Sequence, residues 1–117
     1  MTVSLHNIFI FVTDVPRARQ FYADLLGLPA AGENEMMMEF FPGAATTMTV
    51  ALALQDEARA MVGRHTGITL KIDGLEEVCR RLSDAGVVFA MPYEASPWGR
   101  MAVVNDPDGN QVRLWSK

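Results

Sequence analysis

Few side chains in this 117-residue chain could do chemistry near neutral pH. His6 and His65 could ligate a metal or carry a proton. Tyr93 and Glu94 sit together in "MPYEASPWGR", where Pro92 and Pro97 bracket what reads as a loop at a cavity rim, with Trp98 beside them. Tyr93, Glu94 and His65 are the acid/base candidates; no nucleophile–base pair or carboxylate dyad stands at a readable spacing, so no catalytic set is defined. Cys79, the single cysteine, falls in a helix-like pattern and reads as a small buried filler; alone, it can form no intrachain disulfide. Arg113 lies mid-strand in "NDPDGNQVRLW", on the face that also carries Gln111 and Trp115. A guanidinium there could form an ion pair with Glu39 or Glu94, bind a carboxylate or phosphate through its planar fork, or reach solvent on its apolar stem.

The elements that must position these residues follow from periodicity and turn chemistry. Residues 3–13 read as a strand. Asp14 offers an N-cap, Pro16 suits a first helical turn, and Val15, Ala18, Phe21, Tyr22, Leu25 and Leu26 recur with a helical period up to Gly27. Short strands are expected at 29–32, 36–41 and 47–54. The order then repeats: a strand over 65–72, and a helix with Leu75, Val78, Cys79 and Leu82 inward, closed by Gly86. Strands near 87–91, 100–105 and 111–115 complete it. The chain thus reads as β-α-β-β-β twice: module one over about 1–54, a polar linker over about 55–64, and module two over about 65–117. A repeat of about 58 residues is too small to bury both faces of its own sheet, so the modules are expected to pair as one domain, with a ligand site between them.

Bulk properties bound the function. Half the residues are hydrophobic and 21% are charged, as in an ordinary globular domain. No run approaches the ~20 apolar residues of a membrane span. The start, "MTVSLHNIF", lacks the features of a signal peptide, which leaves a cytoplasmic address as the expectation. A net charge of −4, with no basic run beyond Arg80-Arg81, speaks against a nucleic-acid partner.

The segments "FVTDVPRARQFYADLLGL" and "WGRMAVVNDPDGNQVRL", with the doubled βαβββ order, resemble the vicinal oxygen chelate superfamily over nearly the whole chain. That group contains glyoxalase I, extradiol dioxygenases, fosfomycin-resistance enzymes and bleomycin-binding resistance proteins. The resemblance implies an α+β fold of two paired βαβββ modules forming a half-open sheet cavity. It also implies a homodimer, for which Met36, Met37, Met38, Phe40 and Phe41 are candidate contacts.

Metal-dependent members place one His, Gln or Glu on each of four cavity-facing strands. Carried onto this chain, the first position, seven residues before Asp14, is Asn7 rather than His6, which a one-residue slip would be needed to rescue. The second strand offers Thr49, Ala51 and Ala53, and the alanines can bind nothing. The third position, six residues before Asp73, is Gly67, with His65 on the same face by alternation. The fourth, four residues beyond Gly109, is Arg113. A dication about 5 Å from that guanidinium, at an effective dielectric of 20, would be repelled by roughly 6–7 kcal/mol.

The expectation is therefore a metal-independent protein of this fold that binds a small apolar or aromatic molecule, an anionic one included. No cofactor is expected. The ligand would meet Asn7, Phe9, Phe11, Thr49, Ala51, Gly67, Thr69, Trp98, Arg113 and Trp115. Sequestration of a toxic compound or antibiotic, as in bleomycin-resistance proteins, is the precedent. The alternative is a glyoxalase-type lyase or isomerase, or a dioxygenase. It would use a divalent metal in a displaced site drawn from His6, His65, Glu39 and Glu94.

Overall fold

A computed structural model describes residues 2–117. The chain divides into two compact units, residues 1–62 and 63–117. Unit one runs β1 (Asn7–Val12), α1 (Val15–Arg19, continued by a π-helical segment over Gln20–Leu25), β2 (Ala30–Glu33), β3 (Met37–Phe40), β4 (Thr47–Leu52) and a short α2 (Asp56–Arg59). Unit two runs β5 (His65–Lys71), α3 (Leu75–Asp84), β6 (Phe89–Ser96), β7 (Gly99–Asn105) and β8 (Gln111–Ser116). Each unit carries a four-stranded sheet, ordered β1-β4-β3-β2 and β5-β8-β7-β6. In each, the first strand runs parallel to the last, and the other neighbours are antiparallel. Among the described residues no helix is long and apolar enough to cross a membrane.

The helix of unit one begins as its sequence predicts, with the Arg17 amide donating to the Asp14 carboxylate at 3.0 Å and Pro in the first turn. It then widens: the Leu26 amide reaches back five residues to the Phe21 carbonyl. Adjacent Phe21 and Tyr22 are both buried, their rings meeting edge to face at 4.8 Å. They cover the sheet side formed by Ile10, Val12, Met38, Phe40, Met48 and Val50, all buried. In unit two α3 starts from Gly74 in the left-handed conformation rather than from an Asp73 side-chain cap. Its inward stripe is Leu75, Val78, Cys79 and Leu82, as the helical period requires.

Several expectations need correction. The first strand is shorter than 3–13, and the polar linker holds the one-turn helix α2. Residues 92–96 do not form a loop: Pro92, Tyr93 and Glu94 lie within β6, and only a tight turn at Pro97-Trp98 joins β6 to β7. Proline is tolerated there because β6 is an edge strand and needs no donor on its outer side. Met38 and Phe40 are core residues, Phe40 fully buried with its ring 6.0 Å from that of Tyr22, so neither is available as a subunit contact. Met36 and Met37 remain exposed.

The turn between β7 and β8 is held from inside. The Asp106 carboxylate, 4% exposed, accepts from the backbone amides of Asp108 and Asn110 and from Asn110 Nδ2, each at 2.9 Å. Asn110, 1% exposed, in turn accepts from the Gly63 amide through Oδ1 at 2.8 Å. Replacing Asp106 by Ala strands these buried donors, and a loss of about 3 kcal/mol or more is expected in urea denaturation. A second constraint lies at Gly99, whose φ is +129°. A Cβ there would stand 2.6 Å from Trp115 Nε1 and 2.7 Å from the Ser116 carbonyl oxygen. Gly99→Ala is expected to cost about 1–3 kcal/mol from backbone strain alone, read as a lowered Tm.

Candidate functional site

Strand alternation gives each sheet one face against its helix and one open face. In unit one the parallel register pairs Asn7 with Thr47, Phe9 with Thr49 and Phe11 with Ala51, so these six share the open face. No slip brings His6 onto it. His6 lies exposed before β1, and only its backbone carbonyl enters the sheet, accepting from the Thr47 amide at 3.1 Å. Glu39, opposite Thr49 on β3, adds an exposed carboxylate to the same face.

Asn7 is committed locally. Its Nδ2 donates to Thr47 Oγ1 at 2.7 Å and to Thr49 Oγ1 at 3.1 Å. Its Oδ1 is buried without a hydrogen-bond partner among the described residues. Turning the amide over would only exchange one orphan for another, since the threonine hydroxyls can donate or accept. Phe9 and Phe11 lie beside this group with ring centroids 5.7 Å apart, and Phe9 remains 45% exposed. Thr49 and Ala51 are small and buried between them and β3.

In unit two Thr69 pairs with Arg113, and Lys71 with Trp115. The pairing jumps between His65 and Thr69, where the alternation 65, 67, 69, 71 expected from sequence is interrupted by a bulge. Gly67 takes φ +75° at the bulge and presents no side chain. The Thr66 hydroxyl braces it, donating to the Gln111 carbonyl at 2.7 Å and accepting from the Ile68 amide at 3.1 Å. His65 is exposed, and its Nδ1 accepts from the Gly67 amide at 2.9 Å.

The last strand holds the cation. Val112 and Leu114 are fully buried, while Arg113 between them is exposed. Arg113 makes no ion pair among the described residues, so of the three roles open to it the structural pair with Glu94 or Glu39 is not formed. Its register neighbours are Thr69 and Val103. Lys71, likewise exposed and unpaired among the described residues, lies one strand over and two residues along, about 8 Å away between Cα atoms by sheet geometry. At that separation two like charges repel by ~0.5 kcal/mol in water and ~2 kcal/mol at an effective dielectric of 20.

Trp115 is half-buried, and its indole N–H donates to the Trp98 carbonyl at 3.3 Å. It forms one wall of a hollow of about 490 Å³ at the β6–β7 turn, with Trp98, 83% exposed, at the lip. Glu94 pairs with Met101, which pairs with Trp115, so Glu94 belongs to this open face two strands from the tryptophan. Tyr93 does not. A second bulge in β6 turns it the other way, into a groove with Cys79, Arg80 and Phe89 beside α3. The structure therefore separates Tyr93 from Glu94 and His65, which sequence reasoning had grouped. Burial pushes the Cys79 thiol pKa up, which keeps it protonated and makes it a poor nucleophile.

Sequence reasoning also missed Asn105. It stands opposite Gln111, and its Oδ1 is buried without a partner among the described residues. Counting back across the DPDGN turn from Gln111 would have found it. The four positions tested for a metal do not fit one: Asn7 spends its amide on two threonines, Ala51 and Gly67 offer no donor, and Arg113 is cationic. Among the described residues no three His, Cys, Asp or Glu side chains group as a metal ion would need.

Comparison with known proteins agrees with this architecture. The chain resembles a member of the glyoxalase/bleomycin resistance protein/dioxygenase superfamily from Sphaerobacter thermophilus DSM 20745. The two are 31% identical, with a TM-score of 0.79 over 99% of this chain and 98% of the other. It is similar to TnmS3, an antibiotic binding protein from Streptomyces sp. CB03234, at 27% identity and a TM-score of 0.78, with 99% and 98% of the two chains covered. The protein YraH of Bacillus subtilis (strain 168) is 26% identical over 97% of this chain and 98% of its own length. The family model for the Glyoxalase/Bleomycin resistance protein/Dioxygenase superfamily matches residues 4–114, and with the doubled βαβββ units it identifies the chain as a member of that superfamily.

Proposed function

We propose that this protein binds a small organic molecule with an apolar or aromatic body, and that it does so without a metal. One observation carries the reading. Where metal-dependent relatives would hold donors, this chain has Asn7, Ala51, Gly67 and Arg113, while Phe9 and Trp115 keep part of their rings accessible on the open faces. Aromatic surface supplies affinity, and a few polar groups fix orientation.

Resemblance to an antibiotic binding protein over almost the full length supports binding and sequestration as the role rather than turnover. We assign no catalytic residue, because Tyr93, Glu94 and His65 share no common site. The protein is proposed to act as a cytoplasmic homodimer. Met36 and Met37, both exposed, and half-buried Phe41 are the remaining candidates for subunit contact in unit one.

A chelator experiment tests the reading. Protein dialysed against EDTA and shown by elemental analysis to hold far less than one metal per chain should still be stabilised by its ligand in a thermal-shift screen of polycyclic antibiotics and small aromatics. A ligand present at 100 times its Kd should add about 2.7 kcal/mol to the stability. Stoichiometric metal whose removal abolishes all stabilisation would overturn the metal-independent reading, and a screen without any stabiliser would overturn the binding role.

A further inference from the structure

We infer that the molecule bound on unit two is an amphiphilic oxyanion: an aromatic body seated on Trp115 and Trp98, with a carboxylate or phosphate at Arg113 and Lys71. This deepens the proposed small-molecule binding and rests on it. The observation behind it is an imbalance of charge. The chain as a whole carries a net charge of −4, yet this face presents two cations that no carboxylate among the described residues neutralises. Three other arginines do find carboxylates: Arg19 pairs with Glu33 at 3.2 Å, Arg59 with Asp56 at 3.0 Å and Arg80 with Glu77 at 3.0 Å; Arg64 forms no ion pair among the described residues but, unlike Arg113, has no second cation as a diagonal neighbour in its sheet.

Geometry narrows the ligand further. Arg113 and Trp115 project from the same face of β8, and Lys71 is the register partner of Trp115 on the neighbouring strand. Thr69, beside Arg113, is exposed and carries a hydroxyl able to donate to the same oxyanion. A guanidinium offers two parallel N–H donors to one carboxylate, and an ammonium nearby adds a point charge. On the other side of Trp115 the hollow of about 490 Å³ lies within the 300–1,000 Å³ range of small-molecule sites. The hollow also carries Arg100, whose guanidinium donates to the Lys117 carbonyl at 3.0 Å, so Trp115 stands between a recess whose arginine is already hydrogen-bonded and the Arg113–Lys71 pair, which has no ion-pair partner among the described residues. Glu94 is the acid on this face, two strands from Trp115, and it discourages a ligand whose negative charge extends toward β6.

The probes are 2-naphthoate, 2-naphthyl phosphate and the neutral 2-naphthamide, titrated calorimetrically into the full chain at low salt. Both anions should bind the wild type at least tenfold more tightly than the amide, and added salt should erode that preference. Arg113→Gln should reduce the preference to within about twofold, and Lys71→Gln should reduce it partly. Because both side chains are exposed, both variants should melt near the wild-type temperature. The two anions tell a carboxylate site from a phosphate site by their order of affinity. Equal binding of amide and anions by the wild type, or an anion preference that survives Arg113→Gln and Lys71→Gln together, would overturn this inference and leave the apolar site standing. Failure of all three probes to bind would overturn this inference, while the broader binding role stands or falls with the thermal-shift screen.

Discussion

The buried carboxylate of Asp106 sets which way the side chains of β8 point. By accepting from the Asp108 and Asn110 amides and from Asn110 Nδ2, it fixes the shape of the turn that joins β7 to β8. The shape of that turn determines the register, Asn105 against Gln111 and Val103 against Arg113. A strand has a period of two, so a one-residue error would send Arg113 and Trp115 into the apolar layer under α3. Val112 and Leu114 would go out to solvent in their place. Burying an unpaired guanidinium costs several kcal/mol, and exposing two fully buried aliphatic side chains adds about 1.5–3 kcal/mol each. The turn is therefore the anchor of the site, although no atom of it need touch a ligand.

Unit one solves the same problem without such a turn. Its open face is set by the parallel pairing of β1 with β4, which continues from Asn7–Thr47 to Val12–Leu52 without a break. The helix side of that pairing is filled by Ile10, Val12, Met48 and Val50, all nearly inaccessible. The π-helical widening over Gln20–Leu25 goes with the burial of two adjacent aromatic residues above them. With stability supplied from below, the open face is free to hold groups that contribute little to folding, such as an exposed phenylalanine or an amide with one atom unsatisfied. Chemistry can change on that face while the fold persists.

How much of this could be read from sequence depends on whether the deciding interaction is local. The helix start at Asp14, the closure at Gly27 and the DPDGN turn are encoded within a few residues, and the structure agrees with them. Faces that follow from unbroken alternation were also legible: Asn7, Phe9 and Phe11 opposite Ile8, Ile10 and Val12, and Arg113 with Trp115. The failures are the bulges. At Gly67 and between Met91 and Glu94 one strand carries more residues than its partner, and nothing in either short stretch states what the partner strand does. Pro92 misled in the same way. It is a loop signal by itself and harmless on an edge strand, and only the sheet order tells the two cases apart. Tyr93 left the candidate site for that reason, and which of its three possible roles Arg113 takes was not legible because pairing depends on tertiary placement.

A consequence concerns how a metal-ligating face becomes a binding face. The change needs no rearrangement of the core, because the residues that define it alternate with those that do. Arg113 stands between Val112 and Leu114, which are fully buried, and is itself exposed. A carboxylate at that position attracts a divalent ion, and a guanidinium repels one while attracting an oxyanion. The sign of one side chain on an open sheet face thus selects between two classes of ligand. Ala51 and Gly67, which offer no donor, leave the packing on the opposite side to Val50 and Leu70, both buried. The fold is kept by one set of alternate residues and the ligand class by the other. Membership of the superfamily therefore fixes the inward set and leaves the outward set free to vary, and here that outward set includes Asn7, Ala51 and Arg113.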